Sequence, residues 1–271
     1  MTERADYLDR PAPARGRSRF WATATTIAWR NLVNLTRNPA ALFPPLVMPL
    51  FFFIAFAGGL SAVGSTPGFG YPDYETFQFV FVLIQAAAFG GVFTGFAIAA
   101  DFEFGFARRL LLAAQDRRAL IAGYALVALV RAGMAFAVLI VAALIAGAQI
   151  DGGGLDLFGL FGLALLVNFA ALLFASGIAF RLRSLQGGPA MQVPVFIALL
   201  TAPVYVPVEL IEGWVHGVAQ VNPITPLLEA GRGLAIGDPV NVGLAFAVVA
   251  GLIAALAVWS VRGLRRAEAA G

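Results

Sequence analysis

The sequence predicts an all-α membrane protein of six transmembrane helices. An interfacial amphipathic helix precedes them, and a re-entrant helical segment lies between spans five and six. Three observations predict this. The 271 residues are 60% hydrophobic and only 12% charged, a composition foreign to soluble domains. Long stretches carry almost no charge: Thr76 to Ala100 has none, and Ala119 to Ile150 has only Arg131. About 20 such residues suffice to cross a hydrocarbon core roughly 30 Å thick. Charge is also asymmetric along the chain, which fixes a topology.

Residues 1–18 are polar and arginine-rich with two prolines, and are expected to form a flexible tail rather than a signal peptide. The rest, 19–271, reads as one transmembrane domain. From Phe20 to Asn38 the pattern is amphipathic: Thr23, Thr26, Arg30, Asn34 and Arg37 share one helical face, with Trp21, Ala28, Leu32 and Leu35 opposite. That suits a helix lying at headgroup depth, with Trp21 and Trp29 as anchors. Asn38-Pro39 then turns the chain into the bilayer.

Spans are expected at about 40–60, 76–100, 119–147, 157–180, 188–208 and 240–261. Pro44, Pro45 and Pro49 in the first, and Pro194, Pro203 and Pro207 in the fifth, each remove a helical hydrogen bond, so kinks are expected there. Gly90, Gly91 and Gly95, and Ala175, Ser176 and Gly177, suit close helix packing. With the N-terminus inside, sixteen arginines fall on the cytoplasmic side, and Arg232 alone faces eight acids on the other. Both termini are then cytoplasmic.

Asp101 to Arg118, DFEFGFARRLLLAAQDRR, is a charged island between two spans. Phe102, Phe106 and Leu110 recur every four residues, which on one helix makes an apolar stripe able to lie on lipid or a partner. The order Asp101-x-Glu103-x-Gly105, then Arg109-Leu110-Leu111, then Arg117 resembles the first cytoplasmic loop of ABC-2 type exporter permeases. In that family the loop is a coupling helix that docks on the ATPase subunit. The segment from Val208 to Pro239 is too polar to cross yet rich in apolar residues, suggesting short helices in the outer leaflet. Within it, Asn222-Pro223-Ile224-Thr225-Pro226 followed by Arg232 resembles the signature of the same family, in its daunorubicin-resistance variant. Physically, the prolines fix a turn, and Asn222 or Thr225 can cap the helix beginning there. The family usually has proline at the positions of Ala114 and Glu212, and often serine at that of Asp116.

The resemblance implies a permease subunit of an ATP-driven exporter in a bacterial plasma membrane. It would carry a hydrophobic or amphipathic cargo such as a drug, polyketide or lipid. Its partners would be a cytoplasmic ATPase, which holds the ATP and magnesium, and a second permease in a homodimer or heterodimer. The residues agree with a non-enzymatic role. All 18 basic residues are arginine, so the phosphate-loop lysine is missing and no cofactor is expected on this chain. Without cysteine and with His216 as the single histidine, thiolate and multi-histidine metal sites are excluded. The basic balance reflects topology, not nucleic-acid binding.

Two other transport or membrane roles remain open: an ion-coupled antiporter, disfavoured because no span holds Asp, Glu or His, and a non-catalytic scaffold. Phe174-Ala175-Ser176-Gly177 faintly resembles the rhomboid protease nucleophile, but no span supplies the histidine. Arg131, roughly 18 Å along its span, is either part of a pathway or structurally paired.

Overall fold

The computed structural model describes residues 16–37, 43–107, 109 and 118–269. Among them every regular element is helical, and no strand occurs. The helices are α1 (Gly16–Arg37), α2 (Phe43–Gly59), α3 (Tyr74–Glu103), α4 (Arg118–Ala146), α5 (Gly154–Leu182), α6 (Gly188–Leu200), α7 (Gly213–Val221), α8 (Thr225–Ile236) and α9 (Val242–Ala269). Four stretches are long and apolar enough to cross a membrane: Tyr74–Glu103, Ala119–Ala146, Gly154–Leu182 and Val242–Ala267. The helices α2 and α6 are apolar but shorter.

Helix α3 is the hub. It packs against α5, α4, α2, α8 and α6, and nearly all its side chains are buried. At 30 residues it is about 45 Å long. Asp73 starts it by accepting the Thr76 amide at 2.5 Å. The glycines expected to allow close packing do so. A methyl group on Gly91 would collide with the Asn168 carbonyl of α5, and one on Gly95 would collide with Ala175. This contact also lets Asn168 Nδ2 donate to the Ala87 carbonyl at 2.8 Å. On the other face of α5, the Ser176 and Ser260 hydroxyls meet at 2.8 Å, and the bare face of Gly177 receives the Trp259 indole of α9. Within lipid, where apolar surfaces gain little by meeting one another, such close contact and shared hydrogen bonds hold helices together.

Helix α1, expected at the membrane interface, packs along α4. Its buried stripe is Ala24, Ile27, Ala28, Asn31 and Leu35, while Trp29 is exposed and so is Trp21, although expected on the face of Ala28 and Leu35. Helix α1 begins at Gly16, so residues 16–18, expected in the tail, are helical.

Two expectations fail. The fifth apolar stretch, expected as one helix over 188–208, stops at Leu200 and continues as irregular backbone to Pro207. Pro203 has no amide hydrogen and disfavours helical geometry in the residue before it, so the helix ends ahead of it. The apolar stripe expected along the charged island is interrupted as well. Helix α3 runs on through Asp101, Phe102 and Glu103, then breaks at Gly105 with φ +76°. Phe102 and Phe106 therefore do not form one outward stripe. Phe102 is buried against Phe180, and Phe106 lies under Arg30.

Candidate functional site

The residues singled out in the island gather, with the interfacial helix, at the arginine-rich end of the bundle. Arg30 of α1 makes a two-pronged contact with Asp101 at the end of α3: Nη2 to Oδ1 at 2.6 Å and Nη1 to Oδ2 at 3.0 Å. Tyr124, near the start of α4, donates its hydroxyl to Oδ2 at 2.6 Å. Phe106 stacks beneath the guanidinium, its centroid 3.4 Å away. Three helices thus meet at one carboxylate. Asp101 is 7% exposed and sits in the last turn of α3, where the helix dipole disfavours an anion. Arg30 and Tyr124 offset both costs, and the hydrogen bond to Asp101 raises the Arg30 pKa from its ordinary value. This is the only ion pair among the described residues.

Glu103, two residues on, points elsewhere. Its Oε2 accepts from the Leu185 amide at 2.7 Å and the Ser184 hydroxyl at 3.1 Å. It thereby ties the end of α3 to the short turn joining α5 and α6. Gly105 closes α3 by donating its amide to the Phe102 carbonyl at 3.0 Å. Nothing lies within 4 Å of where its Cβ would be, so glycine is required by the positive φ and not by crowding. Arg109 and Arg37 are exposed, and Arg109 Nε donates to the Gly105 carbonyl at 3.4 Å. Phe104 beside the turn is 74% exposed. Leu110, Leu111 and Arg117 of the island lie outside the described residues, as do Asn38 and Pro39 at the end of the interfacial helix.

At the opposite end, the signature residues hold the irregular stretch after α6. Arg232 of α8 is 1% exposed. Its Nη2 donates to the Pro203 carbonyl at 2.8 Å, Nε reaches the Phe77 carbonyl at 3.4 Å, and the guanidinium stacks on the Phe77 ring at 3.4 Å. Asn222 Nδ2 donates to the Ala198 carbonyl at 2.7 Å and to Thr201 Oγ1 at 3.0 Å. Gln78 takes the Val204 carbonyl at 2.8 Å, and the Tyr74 hydroxyl takes that of Tyr205 at 3.0 Å. Backbone that leaves the helix loses its internal partners, and four side chains from distant helices replace them.

Neither Asn222 nor Thr225 caps α8 as expected. The cap is Ile224, without a side-chain bond. Asn222 Oδ1 instead accepts the Ile224 amide at 2.9 Å, closing a turn around Pro223, and Thr225 Oγ1 bonds back to the Ala219 carbonyl at 2.6 Å. Pro226 occupies the first turn of α8, where a missing amide costs nothing. His216 meets the Val208 carbonyl at 3.1 Å.

Sequence reasoning singled out Arg30, Asp101, Asn222 and Arg232 but missed Tyr124, Tyr74 and Gln78. The available signal was a polar side chain placed inside an otherwise apolar run. Arg131 stands apart from both clusters. Its Nη1 approaches the Phe93 carbonyl at 3.4 Å, and its Nε is buried without a partner.

The chain is similar in sequence to known proteins. The daunorubicin resistance ABC transporter permease protein DrrB1 of Streptomyces coeruleorubidus is 29% identical to the chain over 272 residues, covering 96% of this chain and 91% of the relative. The family profile for the ABC-2 type transporter matches residues 23–235, which take in most of α1, both hydrogen-bonded clusters and the helices from α2 to α8 but for the last residue of α8. With several long apolar helices beside that match, the chain is a multi-pass membrane protein belonging to the ABC-2 type transporter family.

Proposed function

We propose that the chain is the membrane permease subunit of an ATP-driven exporter in a bacterial plasma membrane. In this reading the six crossings are α2, α3, α4, α5, α6 and α9, with α7 and α8 as the re-entrant segment in the outer leaflet. Both termini and the Asp101 cluster are cytoplasmic. ATP and magnesium reside on a separate ATPase subunit, and the pathway is completed by a second permease, identical or homologous. The cargo is a hydrophobic or amphipathic molecule, drug-like by analogy with the relative's name.

The observation that supports coupling is the Arg30–Asp101–Tyr124 cluster, together with Glu103 bonded to Ser184 and Leu185. A push on the island would reach α1, α3 and α4 through one carboxylate, and α5 and α6 through the next. Rigid elements joined in this way can carry a displacement across the bilayer, as alternating access requires. Contact with the ATPase is assigned to the island that includes Gly105, Arg109, Leu110, Leu111 and Arg117.

Affinity purification of the tagged chain from its native membrane tests this reading. A nucleotide-binding ATPase is expected in the eluate, and the separated permease is expected to bind no ATP. Recovery of the chain without any ATPase, or stoichiometric ATP binding by the chain itself, would contradict it. Topology is checked independently with single cysteines. Gly217 has open space at its Cβ, and at Gly153 the nearest atom is 3.4 Å away, so both tolerate the change. Gly153→Cys and Gly217→Cys are expected to react with an impermeant maleimide added outside intact cells, and Ala113→Cys is not. The reverse pattern would invert the assignment.

A further inference from the structure

Three arginines of this bundle are held twice over, by stacking and by hydrogen bonds. Arg30 lies on Phe106 and Asp101, Arg181 on Trp259 with the Gly177 and Trp259 carbonyls, and Arg232 on Phe77 with the Pro203 carbonyl. Arg131 is not. It lies thirteen residues into α4 from Arg118, so about 20 Å along the helix. A guanidinium has five donors, yet the one acceptor Arg131 reaches among the described residues is the Phe93 carbonyl at 3.4 Å. Nε is buried and unpaired. No acid lies between Thr76 and Ala100 of α3, or anywhere in α4, to pair with it. A guanidinium at this depth carries a desolvation cost that the described residues do not offset.

Its surroundings are equally unusual. Between Thr76 and Ala100 every residue of α3 is buried except Phe93, Phe96, Ala97 and Ala100. Their spacing of three, one and three places them on a single helical stripe. The accessible stripe of the central helix therefore begins at the residue whose carbonyl Arg131 touches. Phe93 and Phe96 meet edge to face along it, their centroids 5.2 Å apart. An aromatic floor beside an unpaired guanidinium presents both an apolar and an anion-accepting contact to one molecule.

We infer that Arg131 and the Phe93–Ala100 stripe form a binding site for an aromatic molecule carrying an anionic oxygen, a carboxylate or phenolate. The ring lies against Phe93 and Phe96, and the oxygen takes Nε and Nη of Arg131. Calling this molecule cargo rests on the exporter reading. The binding itself does not, and it is measurable on the chain without an ATPase.

The test is equilibrium binding of radiolabelled 2-naphthoate to the full chain in phosphatidylcholine nanodiscs. Saturable binding is expected, with Arg131→Gln weakening it at least about tenfold, as loss of a charge-assisted contact implies. Arg131→Lys is expected to retain part of the affinity, and uncharged 2-naphthamide to bind the wild type as weakly as naphthoate binds Arg131→Gln. Phe93→Leu keeps the charge and is expected to weaken binding through the lost ring contact, so it carries the test if Arg131→Gln fails to insert. Equal affinity for naphthoate and naphthamide, or unchanged affinity in the inserted variants, would overturn the inference. So would complete loss of wild-type binding when phosphatidylglycerol replaces phosphatidylcholine, because a headgroup of net negative charge would then hold the guanidinium. An intact site in a chain that copurifies with no ATPase would refute the exporter reading alone. A copurifying ATPase with no naphthoate binding would refute the site alone.

Discussion

Arg232→Ala is expected to destabilise the bundle by about 3–5 kcal/mol, read as a lower unfolding temperature of the detergent-solubilised chain. The side chain is fully buried, so its removal leaves a cavity as well as a stripped Pro203 carbonyl. That carbonyl belongs to irregular backbone with no helical donor to fall back on, and an orphaned buried acceptor costs about 1–3 kcal/mol by itself. Arg232→Lys is expected to recover little of the loss. A single ammonium cannot reach both the Pro203 and Phe77 carbonyls while lying flat on the Phe77 ring. Asn222→Ala, which removes the bonds to Ala198 and Thr201, is expected to cost less, about 1–2 kcal/mol. A lysine variant as stable as the wild type would show that Arg232 supplies charge alone and does not hold the strand of chain after α6.

The second large effect is expected to be asymmetric. Arg30→Ala leaves the Asp101 carboxylate nearly sealed, with Tyr124 as its remaining donor, and is expected to cost about 3 kcal/mol or more. Asp101→Ala leaves an arginine whose side chain is one-third exposed, able to reach water, and is expected to cost less. The double variant is expected to be more stable than the sum of the two single losses predicts, because the stranded carboxylate is gone. Equilibrium unfolding of the four proteins measures the cycle. Strictly additive losses would mean that the 2.6 Å contact contributes nothing.

Much of this was legible in the sequence, for physical reasons that also mark where legibility ends. Charge-free runs of bilayer length gave α3, α4 and α5 to within a few residues, and the start but not the end of α9, because the hydrophobic requirement of a span is local. The close α3–α5 contact was readable from its glycines. The end of α6 was not. Whether chain beyond Thr201 stays helical depends on Gln78, Tyr74, Asn222 and Arg232 standing ready to satisfy it, and the first of these lies 126 residues away from the carbonyl it holds. The Phe102–Phe106 stripe misled because periodicity assumes an unbroken helix, and Gly105 breaks it. Arg30 and Asp101 were each singled out, but their pairing across 71 residues was not, nor was the Tyr124 hydroxyl that completes it. Arg232 was read from charge asymmetry as the single arginine on its side, which said nothing of its burial.

The central claim, that the Asp101 end of the bundle transmits the work of a separate ATPase, is tested most directly at Glu103. Its side chain is exposed, and its bonds to Ser184 and Leu185 link the island to the α5–α6 turn, so Glu103→Ala should leave the fold intact. The measurement is cargo-stimulated ATP hydrolysis, with export, by the purified permease–ATPase complex in proteoliposomes. The account predicts that the variant complex still copurifies and hydrolyses ATP at a basal rate, while stimulation by cargo and export fall together, by about tenfold if the lost charge-assisted bonds are the link. Wild-type stimulation and wild-type export in Glu103→Ala would contradict it.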